Sequence, residues 1–122
     1  MPVAPNLAQF DGQNYISLET FRKTGQGVKT PVWFVLHDGT FYVYTEAGSG
    51  KVKRIRNNSR VRLAVCNMRG DVKGPWIDGT ASLIDGDQQL AANRLLDRKY
   101  FLKRIANIFR KQRDRAFIKI VP

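Results

Sequence analysis

The chain has 122 residues, 43% of them hydrophobic, which is enough apolar material for one core and one domain, stabilised in many small proteins by dimerisation. Its 21 Lys and Arg against 10 Asp and Glu leave a net charge of +11, a field that gathers phosphates, nucleic acids, acidic cofactors or lipid headgroups. No apolar run approaches the ~18 residues of a membrane span, the start MPVAPNLAQFDGQN lacks the pattern of a secretory leader, and one cysteine, Cys66, excludes an internal disulfide, so a cytoplasmic setting is expected.

Residues 1–14 read as a loose arm ahead of a single domain over 15–122. YISLETFR (15–22) alternates and is rich in strand formers; KTGQG is a turn; VKTPVWFVL (28–36) is a strand with one proline. Pro31 donates no ladder bond, so that strand belongs at an edge or beside a groove. HDG (37–39) is a tight hairpin signal and TFYVYT (40–45) its return strand. SGKVKRIRNN (49–58) predicts a short helix, RVRLAVCNM (60–68) a strand, RGDVKG a loop and PWIDGTASLI (75–84) another strand. DGDQQLAANRLLDRKY (85–100) predicts a helix capped by Asp87. A second helix is expected over 101–112, because Phe101, Leu102, Ile105, Ile108 and Phe109 share one side and Lys103, Arg104, Arg110 and Lys111 the other. AFIKIV (116–121) closes the chain as a strand. Six mostly antiparallel strands with helices around them predict a small closed or half-closed barrel, since closure removes exposed edges.

The stretch SGKVKRIRNNSRVRLAV concentrates the chemistry. Ser49 is placed to cap a helix whose first turn carries Lys51, Lys53 and Arg54. Cations oppose the dipole at a helix start. An anion seated there would resolve the conflict, taking bonds from free backbone N–H groups and from the cations. Gly48 and Gly50 allow close approach, Lys51 and Arg54 share a face at i, i+3, and Val52 and Ile55 are spaced to pin the helix to the core. The phosphate-loop pattern is absent, because Val52 follows Lys51. The plainer alternative is a solvated basic helix after a flexible turn.

FYVYT…SGKVKRIRNNSRVRLAV resembles the cofactor-binding core of the pyridoxamine-phosphate-oxidase-like flavin split barrels. TFRKTGQGVKTPVWFVLHDGTFYVYT before it and GPWIDGTASLI after it resemble the branch that uses the deazaflavin coenzyme F420. The resemblance implies a six-stranded antiparallel split β-barrel with peripheral helices, paired as a homodimer with the cofactor groove at the interface. It implies a cofactor phosphate on Ser49, Gly50, Lys51 and Arg54. The cofactor ring would lie along Lys29, Thr30, Pro31, Val32 and Trp33, beside Tyr44 and Thr45, with Trp76 as a further wall. The cofactor would be F420, or FMN as the alternative, and the function hydride transfer to or from a small organic acceptor. The family's oxidases carry an arginine where this chain has VKTPV, with Lys29 as its substitute, which speaks against a vitamin B6 substrate.

No side-chain set for acid–base or metal catalysis is visible. His37 stands in a hairpin tip, Cys66 has no histidine or second cysteine nearby, and Asp71, Asp78, Asp85 and Asp87 suit turns and caps. Hydride transfer needs no such set, because the cofactor carries the chemistry; a flavin-binding protein without turnover fits equally. A different class, a basic nucleic-acid-binding module, would draw on the net charge with Tyr100, Phe101 and Phe109. Those aromatics fall on or near the apolar face, and no nucleic-acid motif is present.

Overall fold

A computed structural model describes residues 7–100 and 115–122. The helix expected over 101–112, with its basic face, lies outside the described residues.

Seven strands form one sheet: β1 (Tyr15–Phe21), β2 (Gly27–Trp33), β3 (Val35–His37), β4 (Thr40–Glu46), β5 (Arg60–Cys66), β6 (Ile77–Ile84) and β7 (Arg115–Val121). Two helices accompany them, α1 (Gly50–Asn57) and α2 (Gly86–Lys99). The order across the sheet is β2-β1-β5-β6-β7-β4-β3, and every neighbouring pair is antiparallel. The hairpin between β3 and β4 turns on Asp38 and Gly39, both at positive φ (51° and 75°), as a tight two-residue turn requires.

The expected strand over 28–36 is two strands, so the sheet has seven rather than six. β2 and β3 occupy opposite edges of the sheet yet are separated in the chain by Phe34 alone. The sheet therefore curls until its edges meet at this residue. Beyond it β4 stays beside β2, with Trp33 and Tyr44 ring centroids 6.4 Å apart, but no ladder joins them. The barrel is split along that line, and Pro31 stands on its edge strand.

Alternation sends one set of side chains inward. Ile16, Leu18, Val32, Phe34, Phe41, Val43, Val61, Leu63, Val65, Ala81, Ile118 and Ile120 form the core. Phe10, from a 3-10 turn at Leu7–Phe10, completes it edge-on to Phe41 (4.9 Å). The second half of the expected loose arm is thus packed. Val52 and Ile55 are buried as their spacing predicts, fixing α1 against β1 and β6. On the outer face α2 lays Ala92, Leu96 and Tyr100 over Trp33, Tyr44 and Phe117. Asp85 holds the cap position of α2, and Asp87, expected there, lies in the first turn.

Phe34 cannot complete a ladder with either edge, and its buried peptide groups need other partners. Its N–H donates to the Tyr100 hydroxyl (3.0 Å). The Lys99 ammonium donates to its carbonyl (2.9 Å), and the Tyr100 hydroxyl lies in hydrogen-bonding contact with that carbonyl and with the carbonyl of Asn14 (2.8 Å). The Tyr100 ring stacks on Trp33 at 4.9 Å, nearly parallel. Burial pushes the Tyr100 phenol above its usual range; the bond to Phe34 opposes this, and nearby Tyr15 and Tyr44 add to it.

Removing this hydroxyl strands a buried N–H. Tyr100→Phe should lower the urea-unfolding free energy by about 1–3 kcal/mol with an unchanged dependence on urea. An unaltered midpoint would show that the Phe34 peptide does not depend on it.

Candidate functional site

β4 ends at Glu46, and the Ser49 N–H donates to the Glu46 carbonyl (3.0 Å), turning the chain into α1. Ser49 occupies the cap position with extended backbone, but its hydroxyl makes no capping bond, contrary to expectation. Its Oγ is buried and has no hydrogen-bond partner. Thr30 Oγ1, on β2, is buried and partnerless as well.

Lys51 and Arg54 stand one turn apart above this point. Neither forms an ion pair with a carboxylate among the described residues. Burial lowers the Lys51 ammonium from its usual value, and Arg54 lowers it further, with Glu46 opposing. Burial and Arg22 act in the same downward direction on Arg54, whose guanidinium stays charged. Arg54 does not extend into solvent: its Nε–H donates to Thr20 Oγ1 on β1 (2.6 Å). The guanidinium also crosses the helix start, so that a Cβ on Gly50 would lie 2.7 Å from one of its nitrogens. Gly50 leaves room for the guanidinium to cross at this point.

Thr20 pairs with Val28 in the β1–β2 ladder, which brings the start of α1 to the N-terminal end of β2. β4 sets Tyr44 against Trp33, at the opposite, C-terminal end of β2. On the outer side of β2, the Lys29 ammonium lies over the Trp76 ring (5.1 Å), and Arg62 lies over the same ring (5.1 Å). Arg62 also pairs with the buried carboxylate of Glu19 (3.2 Å). Pro31 is exposed, with Gly70 close by, and Val32 faces the core. Trp33 and Tyr44 pack under α2 in the aromatic cluster with Tyr100 and Phe117.

The residues singled out from sequence thus fall into three groups: Ser49, Gly50, Lys51 and Arg54 at α1; Lys29, Pro31 and Trp76 on the outer side of β2; and Trp33 with Tyr44 below α2. Thr45 and Thr30 lie between, on strands flanking the split. Sequence reasoning missed Thr20, which aims Arg54, and Glu19 with Arg62, which support Trp76. The signal for Thr20 was a threonine at an inward position of an otherwise apolar alternation.

The α1 start offers a hydroxyl, an ammonium, a guanidinium and the N–H groups of a helix start, and no carboxylate among the described residues pairs with either cation. This donor set suits a dianion such as a phosphate. The remaining reactive side chains are placed for other work. His37 is exposed on the hairpin, 3.4 Å from Asp38, and Cys66 is buried with its thiol pushed up by burial. Asp71 accepts a bond from Asn67 within a loop. Among the described residues no group of His, Cys, Asp or Glu could hold a metal ion, and no helix is long and apolar enough to cross a membrane.

Comparison with known proteins agrees with this architecture. The fold resembles HutZ, the heme storage protein from Vibrio cholerae (16% identity, 100% of this chain and 91% of that one, TM-score 0.68). It resembles General Stress Protein 26 from Bacillus anthracis str. Sterne (23% identity, 93% and 82%, TM-score 0.66) and a heme binding protein from Mycobacterium smegmatis (15%, 98% and 52%, TM-score 0.69). At these identities the likeness is one of fold. No curated protein matches the chain. Residues 4–122 match the family profile described as pyridoxamine 5'-phosphate oxidase, and the chain, with its split antiparallel sheet and a cationic helix start beside the split, belongs to that family.

Proposed function

We propose that the chain is an oxidoreductase that seats coenzyme F420 on the start of α1 and moves a hydride between it and a small organic acceptor. The observation that carries this reading is the buried, partnerless Ser49 hydroxyl beside two cations with no carboxylate partner. Such a site costs stability when empty and recovers it when a phosphate binds. The bound cofactor supplies the hydride chemistry. The chain's residues bind and orient: Lys51 and Arg54 would pair with the phosphate, Thr20 holds Arg54 in place, and Gly50 leaves it room.

The ring would lie along the split, between the β2 edge with Lys29, Thr30, Pro31, Val32 and Trp33, and Tyr44 and Thr45 of β4. An edge strand next to a split with no ladder keeps backbone donors and acceptors for a heterocycle. Trp76, gripped by Lys29 and Arg62, would form the outer wall, and a second copy of the chain would complete the groove as a homodimer. FMN is the variant of this reading, since the family binds flavins and the phosphate donors would serve either cofactor. Binding without turnover fits as well, because no catalytic side chain is required of the protein. The donors at α1 are anion donors and the single histidine is exposed, so this reading follows them rather than the heme chemistry named for two structural neighbours. The nucleic-acid reading loses Tyr100, which is 2% exposed and cannot stack on a base.

Fluorescence titration with F420 should show binding to a colourless protein, weakened about tenfold or more by Lys51→Ala, the loss expected for one charge-assisted bond of about 1.5–3 kcal/mol. Arg54→Ala should do the same. Unchanged affinity in both variants would overturn the site; a yellow protein as purified would assign FMN.

Affinity should also depend on pH. Burial holds the Lys51 ammonium below its ordinary value of 10.5, so the cost of keeping it charged is present at neutral pH and is relieved as pH rises. Anion binding needs the charged form and should weaken as pH climbs toward 10.5, in wild type but not in Lys51→Ala. A flat profile in the wild type would exclude Lys51 as a ligand.

A further inference from the structure

A second concentration of positive charge lies elsewhere. A cavity of about 400 Å³ opens between α2 and the β3–β4 edge, lined by His37, Tyr42, Gln88, Ala91, Arg94, Leu95, Arg98 and Lys119. Its walls come from four elements. Lys119 of β7 stands directly opposite Tyr42 in the β4–β7 ladder, so the two present neighbouring side chains on the face that α2 covers. Arg94 and Arg98 are one turn apart on the flank of α2.

None of Arg94, Arg98 and Lys119 makes a hydrogen bond or ion pair with a carboxylate among the described residues, and no carboxylate lines the cavity. Like charges at i, i+4 repel on a helix, and Lys119 adds a third from the sheet. The cavity shares no residue with the α1 site. It lies toward the hairpin end of β4, whereas α1 follows the other end. The strand runs about 13 Å from Tyr42 to Glu46 at about 3.3 Å per residue.

The lining also has a flat, apolar part. Tyr42 is half-buried and supplies an aromatic face, and Ala91 and Leu95 supply aliphatic surface, while Gln88 and His37 add hydrogen-bonding groups at the sides. A volume of this size accepts a small organic molecule. Inorganic ions would use the cations but not the aromatic and aliphatic surface.

We infer that the cavity between α2 and the β3–β4 edge is a second binding site, for a small aromatic anion whose phosphate or paired carboxylates sit among Arg94, Arg98 and Lys119 and whose ring lies against Tyr42 and Leu95. It stands independently of the cofactor reading. Its ligand is an effector, because the site adjoins the α2 helix that carries Lys99 and leads into Tyr100 at the Phe34 join.

The test is a residue-resolved NMR titration of the full chain with two probes, phenyl phosphate and phthalate. The expected result is saturable amide shifts around 37–42, 88–98 and 119, weakened about tenfold in the Arg94→Gln/Arg98→Gln double variant, equivalent to about 1.4 kcal/mol. Lys119→Gln, on a different element, should give a loss of the same kind, and Lys51→Ala should leave these shifts in place. The tighter probe identifies the headgroup. Shifts confined to 49–54, no saturable shift with either probe, or wild-type affinity in both the double variant and Lys119→Gln would overturn the inference.

Discussion

The peptide of Phe34 is the constraint around which the molecule is arranged. A seven-stranded sheet whose edge strands are consecutive in the chain must bring its edges together at the residue that joins them. A buried N–H and C=O at that point, unable to join either ladder, would cost about 1–3 kcal/mol each if left bare. Tyr100 and Lys99, at the end of α2, supply the partners. The docking of α2 and the existence of the split therefore have one cause. The ring that carries this hydroxyl lies flat on the neighbouring indole of Trp33.

The α1 start shows the opposite treatment of charge. Arg62 and Glu19 are matched, and their partial burial is compensated by the bond between them. Lys51 and Arg54 have no carboxylate partner among the described residues and are partly desolvated. A like-charge pair at this spacing costs about 0.2–0.5 kcal/mol, and its position at a helix N-terminus adds about 0.3–1 kcal/mol. A charge-assisted bond to an anion returns about 1.5–3 kcal/mol, so occupancy outweighs both penalties. The bond from Arg54 to Thr20 uses only Nε, which leaves the guanidinium's two terminal nitrogens oriented before a ligand arrives.

Much of this was legible in the residues. Asp38–Gly39 announced its hairpin, Val52 and Ile55 announced the buried side of α1, and the Ser-Gly-Lys run marked the turn where a buried hydroxyl meets the start of a cationic helix. The break at Phe34 was not legible, because Trp33, Phe34 and Val35 are all strand formers. What separates them is a tyrosine hydroxyl 66 residues away, and no local pattern encodes that. Ser49 misled for a related reason: a serine before a helix ordinarily caps it, and here the hydroxyl makes no such bond. At α2 two aspartates stood near the start, and spacing alone could not rank Asp85 over Asp87. The role of Thr20 depends on a guanidinium arriving from another element, which becomes visible only with the fold in hand.

The β2 edge has a consequence for aggregation. A long strand lacking a partner on one side is ordinarily a template for runaway pairing between molecules. Here Lys29 sets a charge beside that side and Pro31 removes a donor in mid-strand, so an incoming polypeptide finds an interrupted row of contacts. A short, planar guest needs only two or three of them. The same two residues thereby discourage fibre growth along this border.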